Sequence, residues 1–250
     1  MNDFFKDKTA VVTGGSGGIG AAVVRGLCSK VSRVIVAGVD DEEKCGALVE
    51  ETGAQCEFLD IRNRVDVMDV LSGLEVDILV NAAGALGLTG TLFDQDPESA
   101  QRVVDVNIIG LQNCLQAIVP GMIERNDGHV VLIGSIAGPY PSLGQPVYSA
   151  TKAAVHLMAA NLRLELFGSR VRVTEIRPGR VRTGMHAEMF DGNHEEANKI
   201  AYDSVVTLEP EDIAEGIIWA LAKPAHICVS QLEILATDHV IGGIQYKPKE

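Results

Sequence analysis

The residues Thr9-Ala-Val-Val-Thr-Gly-Gly-Ser-Gly-Gly-Ile-Gly20 decide how this chain folds. The apolar, β-branched run at 9–12 reads as a short strand, and residues 21–28 carry a helical pattern of apolar positions. Between them lies a turn dense in glycine. Such a turn lets backbone approach a pyrophosphate and aims the N–H groups of the helix end at it. Gly14, Gly18 and Gly20 are spaced Gly-x-x-x-Gly-x-Gly, which differs from the commoner G-x-G-x-x-G arrangement. A plain flexible turn uses the same residues, but strand, glycines and helix follow in the order that phosphate binding requires. Thr13, Gly14, Ser16, Gly18, Ile19 and Gly20 are therefore candidate dinucleotide contacts.

Working outward, residues 34–37 form a second strand, followed by Gly38-Val-Asp40-Asp41. Asp40 stands twenty residues past Gly20, about where a carboxylate meets the ribose 2′-hydroxyl of NAD. An arginine there would hold the 2′-phosphate of NADP, and none occurs between Val34 and Lys44. Asp40 would serve equally as the cap of a helix over 41–49. Residues 55–59 and 77–80 are the third and fourth strands, with Asp60 and the turn Asn81-Ala82-Ala83-Gly84 at their carboxyl ends, where ligands sit in open α/β sheets. If the first and fourth strands are neighbours, this turn lies beside Gly14, and its small residues leave room for a flat ring.

A long helical pattern covers 97–124 with Asn107 inside it. The Asn amide competes with backbone hydrogen bonds, so Asn107 is either an exposed residue tolerated at small cost or a local break near the active site. An apolar run at 129–134 then leads into Ser135, and a helix over about 147–167 carries Tyr148 and Lys152. Four apart, these two share a helix face about one turn, roughly 6 Å, apart. A cation so placed favours phenolate over phenol and makes the pair a proton shuttle, with Ser135 supplying a hydroxyl to the same pocket.

Further strands are expected at 171–176 and 231–235, and a helix at 211–221. Strands alternating with helices from end to end argue for one doubly wound α/β domain spanning 1–250, with a mostly parallel seven-stranded sheet. The polar stretch 185–205, broken by Gly192, reads as a substrate lid. Arg180 and Arg182 leave the sixth strand near the expected pocket. They either clamp a carboxylate or sulfonate, or pair with acids such as Glu188 or Asp191.

The 250 residues can bury a full core, and a formal charge of −13 without a Lys/Arg block argues against nucleic acid or an anionic membrane surface as partner. No apolar run of membrane-spanning length and no secretory leader stand out, so a cytoplasmic setting is expected. Five cysteines, odd in number and without CxxC spacing, read as reduced thiols, and no metal site is expected.

In these motifs, together with Asp60, Asn107 and Pro178-Gly179-x-Val181-x-Thr183, the chain resembles the single-domain branch of the short-chain dehydrogenase/reductase family over nearly its whole length. Asn81-Ala82-Ala83-Gly84 departs mildly from that family's Asn-Asn-Ala-Gly. The resemblance implies a Rossmann-type fold and an oxidoreductase moving hydride between a nicotinamide cofactor and a small hydroxy or carbonyl compound. Tyr148 would be its acid/base, Ser135 would bond the reacting oxygen, Lys152 would hold the nicotinamide ribose, and Asn107 would anchor a water. Asp60 and Ile61 would flank the adenine, Asn81 to Gly84 the nicotinamide ribose, and Thr183 the carboxamide. Residues 177–238 are similar to the subgroup acting on small 3-hydroxy acids, whose members typically prefer NADP and read Gly-Arg-Arg where this chain has Gly38-Val39-Asp40. That departure favours NAD. Family members commonly form homotetramers through the long helices. A non-catalytic dinucleotide sensor on the same fold is the main alternative, and epimerase or dehydratase chemistry a further one.

Overall fold

The computed structural model describes residues 5–38, 42–203 and 205–239. Its seven strands are β1 (Thr9–Thr13), β2 (Arg33–Gly38), β3 (Gln55–Phe58), β4 (Ile78–Asn81), β5 (Gly128–Ile133), β6 (Val171–Pro178) and β7 (Gln231–Ile234). They form one sheet in the order β3-β2-β1-β4-β5-β6-β7. Every pairing is parallel, so the sheet is wholly rather than mostly parallel. β1 pairs on one side with β2 and on the other with β4, with Thr13 opposite both Ala37 and Asn81. The strand order therefore reverses at β1, and the glycine turn and the Asn81 turn open side by side at the carboxyl edge.

Both faces of the sheet are covered, so its central strands carry apolar residues on both faces. Val12, Val34, Val36, Ile78 and Val80 pack under α1 (Gly18–Cys28) and α8 (Pro210–Leu221). Val11, Ile35, Leu79, Val130 and Leu132 point the other way, beneath α3 (Arg64–Leu71), α5 (Leu111–Arg125) and α6 (Pro146–Glu165). Local chemistry sets several boundaries. Asn63 caps α3 by accepting from Val65 N–H, and Asp96 caps α4 (Pro97–Val104) by accepting from Ser99 N–H, with Pro97 at the first turn.

Three expectations need correction. The helical pattern over 97–124 is α4, a π-helical turn at Asp105–Gly110, then α5. The run Pro97–Arg125 is also long and apolar enough, at mean hydropathy 1.3, to cross a membrane by length and composition alone. Half of its most apolar window is buried in this protein, with Leu111, Cys114, Ile118 and Met122 against the sheet. Cys45 of α2 (Glu42–Thr52) and Cys56 of β3 form a disulfide, because α2 packs on β3 and brings their Cα atoms to 6.6 Å. Cys28, Cys114 and Cys228 are free thiols. In the stretch read as a substrate lid, a 3₁₀ turn at Gly184–Phe190 and then α7 (His194–Ala201) bury Ala187, Ala197, Ala201 and Tyr202.

Candidate active site

A cavity of about 630 Å³ runs along the carboxyl edge of the sheet. One end is lined by Gly14, Gly18, Ile19 and Gly20 of the first turn, together with Gly38, Asp60 and Ile61. Gly14 has φ +61°, and a Cβ there would fall 2.7 Å from the Ala83 backbone; one on Gly20 would overlap the Gly14 carbonyl. The close approach of β1 and β4 thus demands glycine, and bares backbone where a phosphate would rest. These residues fit a dinucleotide. Thr13, Ser16 and Asn81 do not line the cavity. The Thr13 hydroxyl donates to Asn81 Oδ1 (3.1 Å) and accepts from Ala83 N–H (3.3 Å), stitching the two turns together. Asp60 holds Arg62 through both carboxylate oxygens, and that bonding lowers its pKa. Asp40 lies outside the described residues, so the NAD expectation that rests on it has no structural description.

The other end of the cavity is lined by Ser135, Tyr148 and Lys152, with Ala82, Ala83 and Gly84 on one side and Pro178, Gly179, Val181 and Thr183 on the other. Ser135 leaves the end of β5, its Oγ accepting from Ala137 N–H at 3.0 Å. One helical turn apart on α6, Lys152 Nζ lies 5.7 Å from the Tyr148 ring centre and donates to the Ile133 carbonyl at 2.8 Å. The electrostatics differ from the sequence expectation. In the protein alone burial dominates, pushing the Tyr148 phenol up to about 12 and the Lys152 ammonium down to about 8. The Ser135 hydroxyl works against the rise at Tyr148 and Glu188 adds to it, while Glu175 opposes the fall at Lys152. Lowering the phenol therefore takes positive charge beyond Lys152.

Asn107 is a break rather than an exposed residue. It is 2% exposed, on the π turn. Its Oδ1 accepts from Ala85 N–H (2.8 Å), and its Nδ2 donates to the Ala85 carbonyl (2.9 Å) and to Thr151 Oγ1 (3.0 Å). The widened turn lets one amide hold both the Asn81–Gly84 turn and α6 in place. A Cβ on Gly84 would lie 3.4 Å from Asn107 Oδ1 and 3.7 Å from Lys152 Nζ, so the two are neighbours across that glycine.

Arg180 and Arg182 do not line the cavity. Arg180 donates to the Ala201 carbonyl at 2.9 Å; Arg182 pairs with Asp203 (3.3 Å) and Glu209 (3.6 Å) and sits over the Tyr202 ring. Arg180 thus ties the end of α7, and Arg182 the residues after it, to the chain leaving β6, and for Arg182 these are acid pairings of the kind the sequence left open beside a substrate clamp. Thr183 lines the cavity, but its hydroxyl caps the 3₁₀ turn through Met185 N–H, and its carbonyl accepts from the Tyr202 hydroxyl at 2.5 Å. The cavity also holds residues that sequence spacing does not single out: Lys44, Arg102, Met185, His186, Glu188 and His194. Glu188 and Arg102 stand 86 positions apart, and nothing local in the sequence pairs them.

A dinucleotide cradle at the switch point of a parallel sheet, continuous with a Tyr–Lys–Ser cluster, defines a nicotinamide-dependent oxidoreductase. A family model described as short chain dehydrogenase matches residues 8–194, and the chain belongs to that family. It is 37% identical to the NADP-dependent 3-hydroxy acid dehydrogenase YdfG of Escherichia coli (strain K12) over 94% of this chain and 97% of that one. The protein of the same name from Salmonella typhimurium is equally similar, at 37% over the same shares. Among solved structures, the closed form of a serine dehydrogenase complexed with NADP+ superposes with TM-score 0.90 at 35% identity, covering 96% of this chain and 100% of that one. The serine dehydrogenase from Escherichia coli gives TM-score 0.77 at 34% identity, covering 90% and 96%. The chain is thus an NAD(P)-dependent dehydrogenase of the short-chain family.

Proposed function

We propose that this enzyme interconverts the hydroxyl and carbonyl forms of a small 3-hydroxy acid, with Tyr148 as acid/base. The observation that carries the reading is the convergence of Tyr148, Ser135 and Lys152 on one end of the cavity whose other end is the glycine cradle. The nicotinamide supplies or accepts the hydride when bound. Ser135 donates to the reacting oxygen as it gains negative charge, and Tyr148 takes or returns that oxygen's proton. Lys152, buried and anchored to the Ile133 carbonyl, holds the ribose and keeps cationic charge beside the phenol. A phenol held near 12 by the protein alone stays protonated at neutral pH. It is ready to donate in the reducing direction; in the other, the cationic charge of a bound oxidised nicotinamide would favour loss of its proton. The substrate acid follows from the names of the similar proteins from Escherichia coli and Salmonella typhimurium.

For the cofactor, the acid at Asp40 and the lack of arginine in that turn favour NAD. A second reading, NADP, is favoured by the name of the similar proteins and by Lys44, which lines the adenosine end of the cavity. Homotetramer formation fits the apolar side chains left exposed on α6 and just after it, Leu157, Leu164 and Phe167, and Ile123 on α5. The reading places the enzyme in the cytoplasm. Incubation with NAD or NADP and a set of hydroxy acids, neutral alcohols and sulfonates, followed at the absorbance of the reduced nicotinamide, tests the whole. Turnover of 3-hydroxy acids supports it. Dinucleotide binding without turnover of any compound overturns it in favour of a sensor.

A further inference from the structure

One carboxylate in the cavity wall sits in a place made for an anion. Glu188 Oε2 accepts from two successive backbone N–H groups, Leu86 (3.0 Å) and Gly87 (3.0 Å), and pairs with the Arg102 guanidinium at 2.9 Å. Gly87 has φ +77°, and successive N–H groups at such a left-handed residue form a concavity that binds anions. The loop has supports besides Glu188. A Cβ on Gly87 would strike Val103 Cγ2 at 2.7 Å and Ser99 Oγ at 2.8 Å, and Ser99 Oγ accepts from Leu88 N–H at 2.8 Å. α4 therefore moulds the loop and presents Arg102 from the same surface.

We propose that Leu86 N–H, Gly87 N–H and Arg102 are the seat for the substrate carboxylate, and that Glu188 is a resident carboxylate which the substrate displaces. This rests on the hydroxy-acid reading above and deepens it. Arg180 bonds the last residue of α7 and Arg182 pairs with Asp203 beyond it, and neither lines the cavity, whereas Arg102 does. The seat begins two residues beyond Gly84, at most about 7 Å of chain from the point where that turn passes Lys152. A carboxylate held there and a hydroxyl at Tyr148 suit a short acid. Arg102 and Glu188 are both partly exposed, and pairs of that kind contribute little by themselves, so the occupant can be exchanged. Being tethered, Glu188 competes with a free carboxylate as an internal ligand at high effective concentration. It therefore weakens binding of weak anions and selects for a substrate whose hydroxyl and cofactor contacts add to its carboxylate.

The test is an NMR titration of the native protein, Glu188→Ala, Glu188→Gln and Glu188→Ala/Arg102→Ala with propanoate, and with propanamide as the neutral isostere. It is run with and without saturating NADP+, whose own affinity is measured in the same samples. The proposal predicts that Glu188→Ala binds propanoate at least tenfold more tightly than the native protein, with propanamide unchanged. Glu188→Gln moves in the same direction, and removal of Arg102 abolishes the gain. Unchanged or weaker propanoate binding in both Glu188 variants overturns the seat and leaves Glu188 a structural latch. An equal gain for propanamide overturns it too, since the cavity has then merely opened. Failure of the native protein to bind dinucleotide would instead sink the oxidoreductase reading, while the titration without cofactor still reports on the seat.

Discussion

Asn107→Ala should cost the fold about 3 kcal/mol. Asn107 serves both backbone groups of Ala85, which is 0% exposed, and truncation leaves that N–H and carbonyl without partners. Each buried group so orphaned costs roughly 1–3 kcal/mol, and about 1.5 for each gives the figure. Thr151 loses little, because its hydroxyl still donates to the Tyr148 carbonyl at 2.8 Å. For a domain of this length, about 3 kcal/mol lowers Tm by roughly 6–12 °C. Urea and thermal denaturation followed by circular dichroism measure it. The same substitution loosens the Gly84 turn beside Lys152, so kcat should fall as well in protein still folded at the assay temperature. A loss of only a few tenths of a kcal/mol, the size expected of an exposed helical Asn, would refute the assignment of Asn107 as the brace between β4 and α6.

His129 is fully buried and held neutral, its pKa pushed down to about 3 by burial and by Arg172. The unfolded chain takes up its proton near pH 6.5 and the folded one does not, so stability falls as pH drops, by roughly 2 kcal/mol between pH 6.5 and 5. His129→Leu should flatten that part of the stability profile in urea titrations. Gly20→Ala should abolish dinucleotide binding or folding, since its Cβ meets the Gly14 carbonyl, while Gly17→Ala, with open space around its Cβ, should leave Tm within about 2 °C. Thiol titration in denaturant without reductant should count three of the five cysteines, rising to five after reduction.

Much of the fold was legible because it rests on short-range patterns. Each central strand shows as a largely apolar run bounded by turn residues, and β1, β4 and β5 lead straight into Gly14, the Ala82–Gly84 turn and Ser135, which line the cavity. Tyr148 and Lys152 were readable because four residues are one helical turn. What escaped depends on distance along the chain. The pairing of Glu188 with Arg102 is set by where the 3₁₀ turn folds back across α4, and no local pattern encodes that. Arg180 and Arg182 looked available because their partners, Ala201, Asp203 and Glu209, lie some twenty residues on. The π turn at Asn107 left one sign, an amide inside an otherwise regular helix. The Cys45–Cys56 disulfide joins residues eleven apart across a turn between α2 and β3, a spacing that matches no metal or redox motif.

The central claim is that the cavity-lining phenol at position 148 moves the proton while the glycine cradle holds the nicotinamide. Replacing Tyr148 by phenylalanine removes one oxygen and keeps the ring that packs near Lys152. Turnover of the best hydroxy acid, measured alongside the dinucleotide Kd, should fall by about a thousandfold with that Kd within threefold of native. Near-native turnover by Tyr148→Phe would contradict the account.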